Sequence, residues 1–330
     1  IIPAELLGKP AALIIGLGEE RTERCFHGVV MSASFNHGLG DWHVGSVEIA
    51  PRFARCELGA NSRIFQKMTV PDVVSQVLED AGLPKDSFVW DTQTTYPPHE
   101  YITQFNESDY NFVSRLLYEE GIAFSIRNDI DGEMIAFFDE NERLEPLTDV
   151  DQLLFAPVLG PSPDRIISLR ESCRAATDEV MLRDYDFLQP SRDLSFKDKV
   201  DESTGREAYL HPGGFRDPSE GKRRAKVELQ RSRALTQVMK GASNVAHLEP
   251  GRSFDLSDHP RPALNEKHLV ATVVPRGGWD RRWWRAEGAI SADENVFETI
   301  VSATPDRPVE SPAAPHRGGV QVAFVSGPTV

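Results

Sequence analysis

The sequence predicts a mainly β fold carrying an α+β insertion, and three observations lead there. Both flanks of the chain, up to about residue 60 and again beyond Phe155, consist of short runs of strand composition separated by Gly and Pro turns. Between them, residues 61 to 140 hold two segments of helical periodicity, each preceded by a polar capping residue and followed by glycine. The 40% hydrophobic and 26% charged residues are those of a folded globular chain, and 330 residues suffice for more than one domain.

Taken in order, Lys9 to Leu17 (KPAALIIGL) reads as a strand, GEERT as a turn, and Arg24 to Ser34 as a second strand with Phe26, Val29 and Val30 apolar. Trp42 to Ile49 is the third, so the opening is antiparallel β. Thr69 then caps a short helix with Pro71 in its first turn. Its predicted buried stripe is Val73, Val74, Val77, Leu78 and Ala81, and Gly82 stops it.

Pro97 and Pro98 lead into a half-buried strand over Glu100 to Phe105, with Tyr101, Thr103 and Phe105 on one side. Asn106 or Ser108 caps the second helix, and Glu107 and Asp109 put negative charge at the positive end of its dipole. Tyr110, Phe112, Val113, Leu116 and Leu117 share its core-facing side, with Asn111, Ser114, Arg115, Tyr118 and Glu119 opposite. Gly121 ends it, because glycine takes a left-handed terminal conformation at least cost. Ile122, Phe124 and Ile126 resume a two-residue period, and a hairpin turns at NDIDG to return through MIAFF.

Beyond Phe155, strand composition returns at Arg165 to Glu171, Glu179 to Phe187 and Glu207 to His211. Ser219 to about Met239 is the longest predicted helix. Its cations Lys222, Arg223 and Arg224 read as a solvated face, or, in a ring-shaped oligomer, as a surface meeting an acidic neighbour. Three strands follow from Arg252 to Ile290: RSFDL, HLVATVVPRG and RRWWRAEGAI. Thr304 to Gly319 shifts to Pro, Ala, Arg and Ser, a linker, and GVQVAFVSGP starts a new strand.

The net charge of −15 repels nucleic acid and anionic lipid. No apolar run approaches the roughly 20 residues that span a bilayer. Cys25, Cys56 and Cys173 lack metal or redox spacing and read as reduced thiols. There is no signal peptide and no initiating Met, so the N-terminus reads as trimmed.

The chemical motifs are broken ones. His99 and Glu100 offer half of HExxH, but Thr103 stands where the second histidine belongs. NDIDGE resembles a calcium loop with Arg127 and Phe138 at ligand positions, and reads better as a hairpin turn. GLGEER has Arg21 in place of the third glycine of a dinucleotide fingerprint. No GxSxG occurs. No catalytic, cofactor or metal residue is therefore assigned. WDRRWWR mixes cations and indoles, but Trp283 and Trp284 fall on opposite faces of a strand, so one is expected in the core and one at a subunit interface.

One stretch, YPPHEYITQFNESDYNFVSRLLYEEGIAF (Tyr96 to Phe124), resembles the signature of the VgrG family, the trimeric spike proteins of bacterial type VI secretion, within their phage tail-hub-like domain. SRIFQKMTVPDVVSQVLEDAGL (Ser62 to Leu83) and LRDYDFLQPS (Leu182 to Ser191) match the same family. The resemblance continues through YLHPGGFRDPSEG and PGRSFDLSDHPRPALNEKHLV to the end of the chain. The matching positions include Ser62, Arg63, Phe65 and Gln66; Tyr96 and Pro97; Glu107, Ser108, Asp109, Phe112, Arg115, Glu120 and Gly121; and Asp184, Tyr185 and Asp186. All are read as structural. The family's tryptophan-rich strand ahead of SRIFQ appears here as APRFARCELGAN, with Phe53 its only aromatic.

The resemblance implies two β-barrel-like tube domains of the phage tail-hub type. The first lies at 1–60, with further strands of the family's domain expected ahead of Ile1, and the second, with one long helix, at 151–303. The α+β insertion lies at 61–150, a linker at 304–318 and the first strand of an OB-fold at 319–330. It implies a homotrimer closing into a ring of pseudo-six-fold character, which joins a hexameric inner tube of the hemolysin-coregulated protein type to a needle. A spike tip protein and effectors would be carried beyond residue 330. Assembly in the bacterial cytoplasm, then secretion or injection by the contractile apparatus, follows from the same resemblance. No cofactor and no nucleic-acid partner is implied. A tail hub of a contractile phage or extracellular injection particle would share the fold. A β-domain effector enzyme or binding module is the alternative of another class.

Overall fold

The computed structural model describes residues 2–15, 24–36, 44–129, 131–140, 145–147, 150, 152–157, 164–234, 236–245, 247–274 and 295–300. The GLGEER turn, Trp283, Trp284, the linker and the final strand lie outside these residues.

Strands β1 (Pro10–Ile15), β2 (Arg24–Asn36) and β3 (Val44–Ala50) form an antiparallel sheet in that order. Cys25, Val29 and Val30 of β2 are buried, while Leu13 and Ile14 of β1 and Val47 of β3 stay about half exposed. A 3₁₀ turn over Arg52–Glu57 then buries Phe53 and Cys56 in the core of the next region, Phe53 meeting Phe124 edge-on at 5.3 Å.

That region comprises β4 (Asn61–Met68), α1 (Val70–Asp80), β5 (Phe88–Asp91), β6 (His99–Glu107), α2 (Asp109–Glu120), β7 (Ala123–Asn128) and β8 (Glu133–Phe138). Strands β4 and β6 pair as an antiparallel ribbon, β7 and β8 form the expected hairpin, and β5 joins β8 in parallel. Asp129 closes the hairpin turn by accepting from the backbone N–H of Asp131 and of Gly132. The Thr69 hydroxyl accepts from Asp72 N, and the Asp72 carboxylate from Thr69 N, a complete capping box. Val70, Val73, Val74, Val77 and Leu78 of α1 pack against Phe112, Val113, Leu116 and Leu117 of α2 in one cluster. Each such side chain contributes about 1.5–3 kcal/mol on burial.

Strand β6 keeps the expected alternation, and the side that carries its aromatics is the outer one. Tyr101, Thr103 and Phe105 face out, and Ile102 and Gln104 are the buried pair. The aromatics are displaced because Gln104 has polar partners waiting beneath the ribbon, so an amide outranks two rings for the inner face.

Strands β9 (Gln152–Phe155) and β10 (Arg165–Cys173) begin a closed barrel. The chain then leaves it for β11 (Glu179–Asp184), β12 (Leu194–Lys199), β13 (Glu207–Leu210) and α3 (Pro218–Arg233). It returns as β14 (Gln237–Ser243), β15 (Ser253–Ser257), β16 (Lys267–Val274) and β17 (Asn295–Ile300). The barrel runs β10-β14-β17-β16-β15-β9 and closes by the parallel β9–β10 pair. Leu153, Ile166, Val245, Leu248, Phe254, Leu256 and Val270 fill it.

The excursion is a second departure from the sequence reading, which merged it with the barrel. Its three strands lie in the order β12-β11-β13, and α3 packs on them around Val180, Leu182, Leu194, Phe215, Ala225 and Leu229. A Cβ on Gly221 would stand 2.4 Å from Phe196 and 2.6 Å from Phe215, so glycine is what lets the helix sit this close. The helix also stops earlier than expected, at Arg233 rather than near Met239; Thr236 N donates back to Arg233 O and Gln237 opens β14. The strand expected over Glu179–Phe187 ends at Asp184, where the chain turns.

Candidate functional site

Three polar clusters gather the residues singled out in the sequence. At the start of α2, Ser108 is the cap, its hydroxyl accepting from Asn111 N at 3.1 Å. Arg63 reaches across from β4 and divides its guanidinium among three elements. It donates to Gln104 Oε1 at 2.9 Å, Asp80 Oδ2 at 3.1 Å and Asp109 Oδ1 at 2.5 Å. Asp109 also accepts from Gln104 Nε2 at 2.8 Å, so α1, β4, β6 and α2 meet at one planar cation. Phe65 and Phe112 stack beneath it, 5.8 Å apart. Arg115 repeats the pattern one turn on, donating to Glu107 at 2.7 Å and to Thr103 O at 3.1 Å. Ser62 Oγ accepts from the N–H of Asn106, whose φ of 48° is left-handed. Gln66 and Pro97, in contrast, are exposed and hold nothing in these clusters.

The far end of α2 carries the second cluster. Glu120 is 2% exposed and sits among cations from α3, more than 100 residues away. Its carboxylate accepts from Arg223 Nη2 and, at 2.8 Å, from Arg224 Nη2, while its carbonyl accepts from Arg223 Nη1 at 2.9 Å. Arg231 donates to Tyr118 O and lies 3.6 Å from the centre of the Tyr118 ring. His99 Nε2 is 3.5 Å from Glu120 Oε1. Burial alone would push the Glu120 carboxyl up; contact with His99 and the charges of Arg223 and Arg224 more than reverse this and hold it at about 2. Gly121 completes the helix end with φ 74°, and a Cβ there would lie 2.6 Å from Val227 of α3. Tyr96 lies alongside, under Arg223, and donates to Asp139 Oδ2 at 2.9 Å. Burial and that carboxylate raise the phenol above its ordinary range.

His99, Glu120 and Glu220 bring one ligand atom each within 4.8 Å of one another. Arg223 and Arg224 already occupy the Glu120 oxygens, and Arg224 also pairs with Glu220 at 3.0 Å. Two guanidiniums balance two carboxylates, so the donor set does not suit a metal cation.

In the third cluster Asp184 fixes the loop after β11. Oδ2 accepts from Gly214 N at 2.6 Å and Phe215 N at 3.1 Å, and Oδ1 from Tyr185 N at 2.7 Å. Asp186, buried, accepts from Leu188 N at 2.9 Å. Beside them Tyr185, Phe187 and Leu188 stand more than 60% exposed, apolar groups held out on a backbone-braced loop.

Sequence reasoning did not anticipate Arg223, Arg224 and Arg231 as partners of α2, nor Asp178, which takes Arg206 at 2.8 Å and Arg233 at 3.3 Å. Only the run of cations on α3 hinted at the former. Trp283 and Trp284 fall outside the described residues. What the three clusters do chemically is hold: their carboxylates face guanidiniums and backbone N–H groups, in contacts between one part of the chain and another.

Comparison with known proteins agrees with that character. Residues 1–280 match the family model described as the phage tail baseplate hub (GPD). The type VI secretion system spike protein VgrG4b of Pseudomonas aeruginosa is 30% identical over 299 residues, covering 85% of this chain and 36% of that protein. VgrG1b of the same organism is 26% identical over 328 residues, covering 98% of this chain and 44% of that protein. The chain thus spans less than half the length of these relatives. Among solved structures, an E. coli component of the type VI secretion system, described as similar to the T4 tail proteins gp27 and gp5, superposes with a TM-score of 0.65 at 21% identity. That match covers 91% of this chain and 66% of the other, and it establishes the likeness of fold.

Proposed function

Because this chain belongs to the phage tail baseplate hub family and is homologous to type VI spike proteins over most of its length, we propose that it is the hub part of a trimeric spike. It joins a secreted hexameric inner tube, of the hemolysin-coregulated protein type, to the puncturing needle. In this reading 1–60 and 151–303 are the two tube domains, the second interrupted by the excursion of β11–β13 and α3, with 61–150 the insertion and 304–318 a linker to an OB-fold that starts at 319. Effectors and a tip protein are carried beyond these residues, and the assembled spike leaves the cytoplasm through the contractile apparatus.

The observation that carries the proposal is the use to which the signature residues are put. Arg63, Glu107, Asp109, Arg115 and Asp184 are engaged with other parts of the same chain, as bracing under load requires. The work is mechanical rather than catalytic. Two comparable tube domains per subunit let three copies present six edges to a hexamer.

The family description also fits a phage tail or injection-particle hub. The test is mixing with hexameric rings of the inner-tube protein encoded nearest this chain's gene. Co-elution at three chains per hexamer is expected, and failure to associate at micromolar concentration contradicts the tube-adaptor role.

A further inference from the structure

Among the described residues, the excursion of β11–β13 and α3 meets the rest of the molecule chiefly in two places of different kind. At one, it hangs from the barrel by its entering and leaving strands, where Arg174 N donates to Thr236 O at 2.8 Å and Arg233 Nη1 to Thr177 O at 3.1 Å. A cleft of about 530 Å³, lined by Arg174, Thr177, Arg206, Ser232 and Thr236 among others, opens beside these two strands. At the other, α3 meets the end of α2 through the Glu120 carboxylate, the Glu120 and Tyr118 carbonyls and the Gly121–Val227 contact. The apolar cluster of the excursion is separate from that of the insertion and from that of the barrel.

We propose that the excursion is a hinged arm, pivoting at Arg174 and Thr236, and that Glu120 with Arg223, Arg224 and Arg231 is the latch that holds it against α2.

Polar and apolar contacts lose different things on opening. An apolar interface would expose its whole area to water. Here the groups brought out are mainly a carboxylate, three guanidiniums and the last carbonyls of a helix, which regain hydration when the two sides part together; the apolar share is confined to Val227 and the ring faces of Tyr96 and Tyr118. A buried ion cluster of this kind is geometrically specific and holds the closed state by less than its contacts alone would suggest, whereas deleting one member strands the others. Opening the arm as a unit leaves its core around Val180, Leu194 and Phe215 intact. Peripheral contacts add little: Arg216 and Glu100, at 3.4 Å, are both mostly exposed. The inference does not depend on the hub reading, since it concerns only contacts within one chain.

The test places spin labels at Lys85 and Lys226, both exposed, in the full chain with Cys173→Ser, and measures their separation by double electron–electron resonance. The latched chain should give one narrow distance. Glu120→Gln leaves Arg223 without its counter-charge and Arg224 with Glu220 alone, and should raise the population of a second distance by about a hundredfold or more. Arg223→Gln with Arg224→Gln, cutting the latch from the other side, should populate the same second distance, with helix content by circular dichroism unchanged in both variants. A single narrow distance in both overturns the proposal. So does loss of helix content in place of a second distance, because Glu120 would then be a core residue and not a latch.

Discussion

Replacing Gly121 by Ala tests two structural facts with one methyl group. The residue has φ 74°, where an L side chain costs about 1–2 kcal/mol. The new Cβ would also lie 2.6 Å from Val227 Cγ1 and 3.0 Å from Cγ2, contacts that a β-branched side chain packed on a helix cannot easily yield. Overpacking of this kind costs about 1–3 kcal/mol. The sum, about 2–5 kcal/mol, would raise local opening of the α2 end by thirtyfold to several thousandfold. Hydrogen exchange of the peptide spanning α2 reads this, since Ile122 N donates to Leu117 O at 2.9 Å and reports the terminal turn. Val227→Ala separates the two causes. It removes both clashing methyl groups, so in that background Gly121→Ala should cost only the backbone share of about 1–2 kcal/mol. An equal cost in both backgrounds, or one below about 0.5 kcal/mol, refutes the reasoning.

Further outcomes follow from the same contacts. Arg63→Lys keeps the charge but cannot serve Asp80, Gln104 and Asp109 together, and should destabilise the insertion by about 1–3 kcal/mol in urea titration. Glu120 is held below its ordinary 4.5, at about 2, so the stability it contributes, about 3 kcal/mol, is complete above pH ~4.5 and lost as pH falls towards ~2. Burial raises Glu133 and Glu249, which act in the opposite sense, so the diagnostic is the difference between wild type and Glu120→Gln over that window. Asp184→Ala frees the N–H groups of Gly214 and Phe215 and should make the Tyr185–Leu188 loop a rapid chymotrypsin site; unchanged cleavage would show that the loop is braced otherwise.

Local signals were legible in the sequence and distant ones were not. Thr69, Ser108 and Gly121 act where their chemistry places them, because caps and left-handed glycines answer to neighbours within four residues. The alternation of β6 was legible but not which face turns inward, because the claim of Gln104 to the inner face comes from Arg63 and Asp109. Helix α3 ends without glycine or proline, so nothing in Ser232 to Gln237 marks the change to strand. The cations at Arg223 and Arg224 were visible, but their partner at Glu120 is over 100 residues away, and one sequence carries no trace of that pairing. The parallel pairs β5–β8 and β11–β13 were hidden for the same reason.

The most direct measurement for the hub account is the mass of the chain in solution by light scattering over a concentration series. A particle of three times 36.8 kDa is predicted, with the ring contacts inside these residues. A mass of 36.8 kDa at every concentration would contradict that claim.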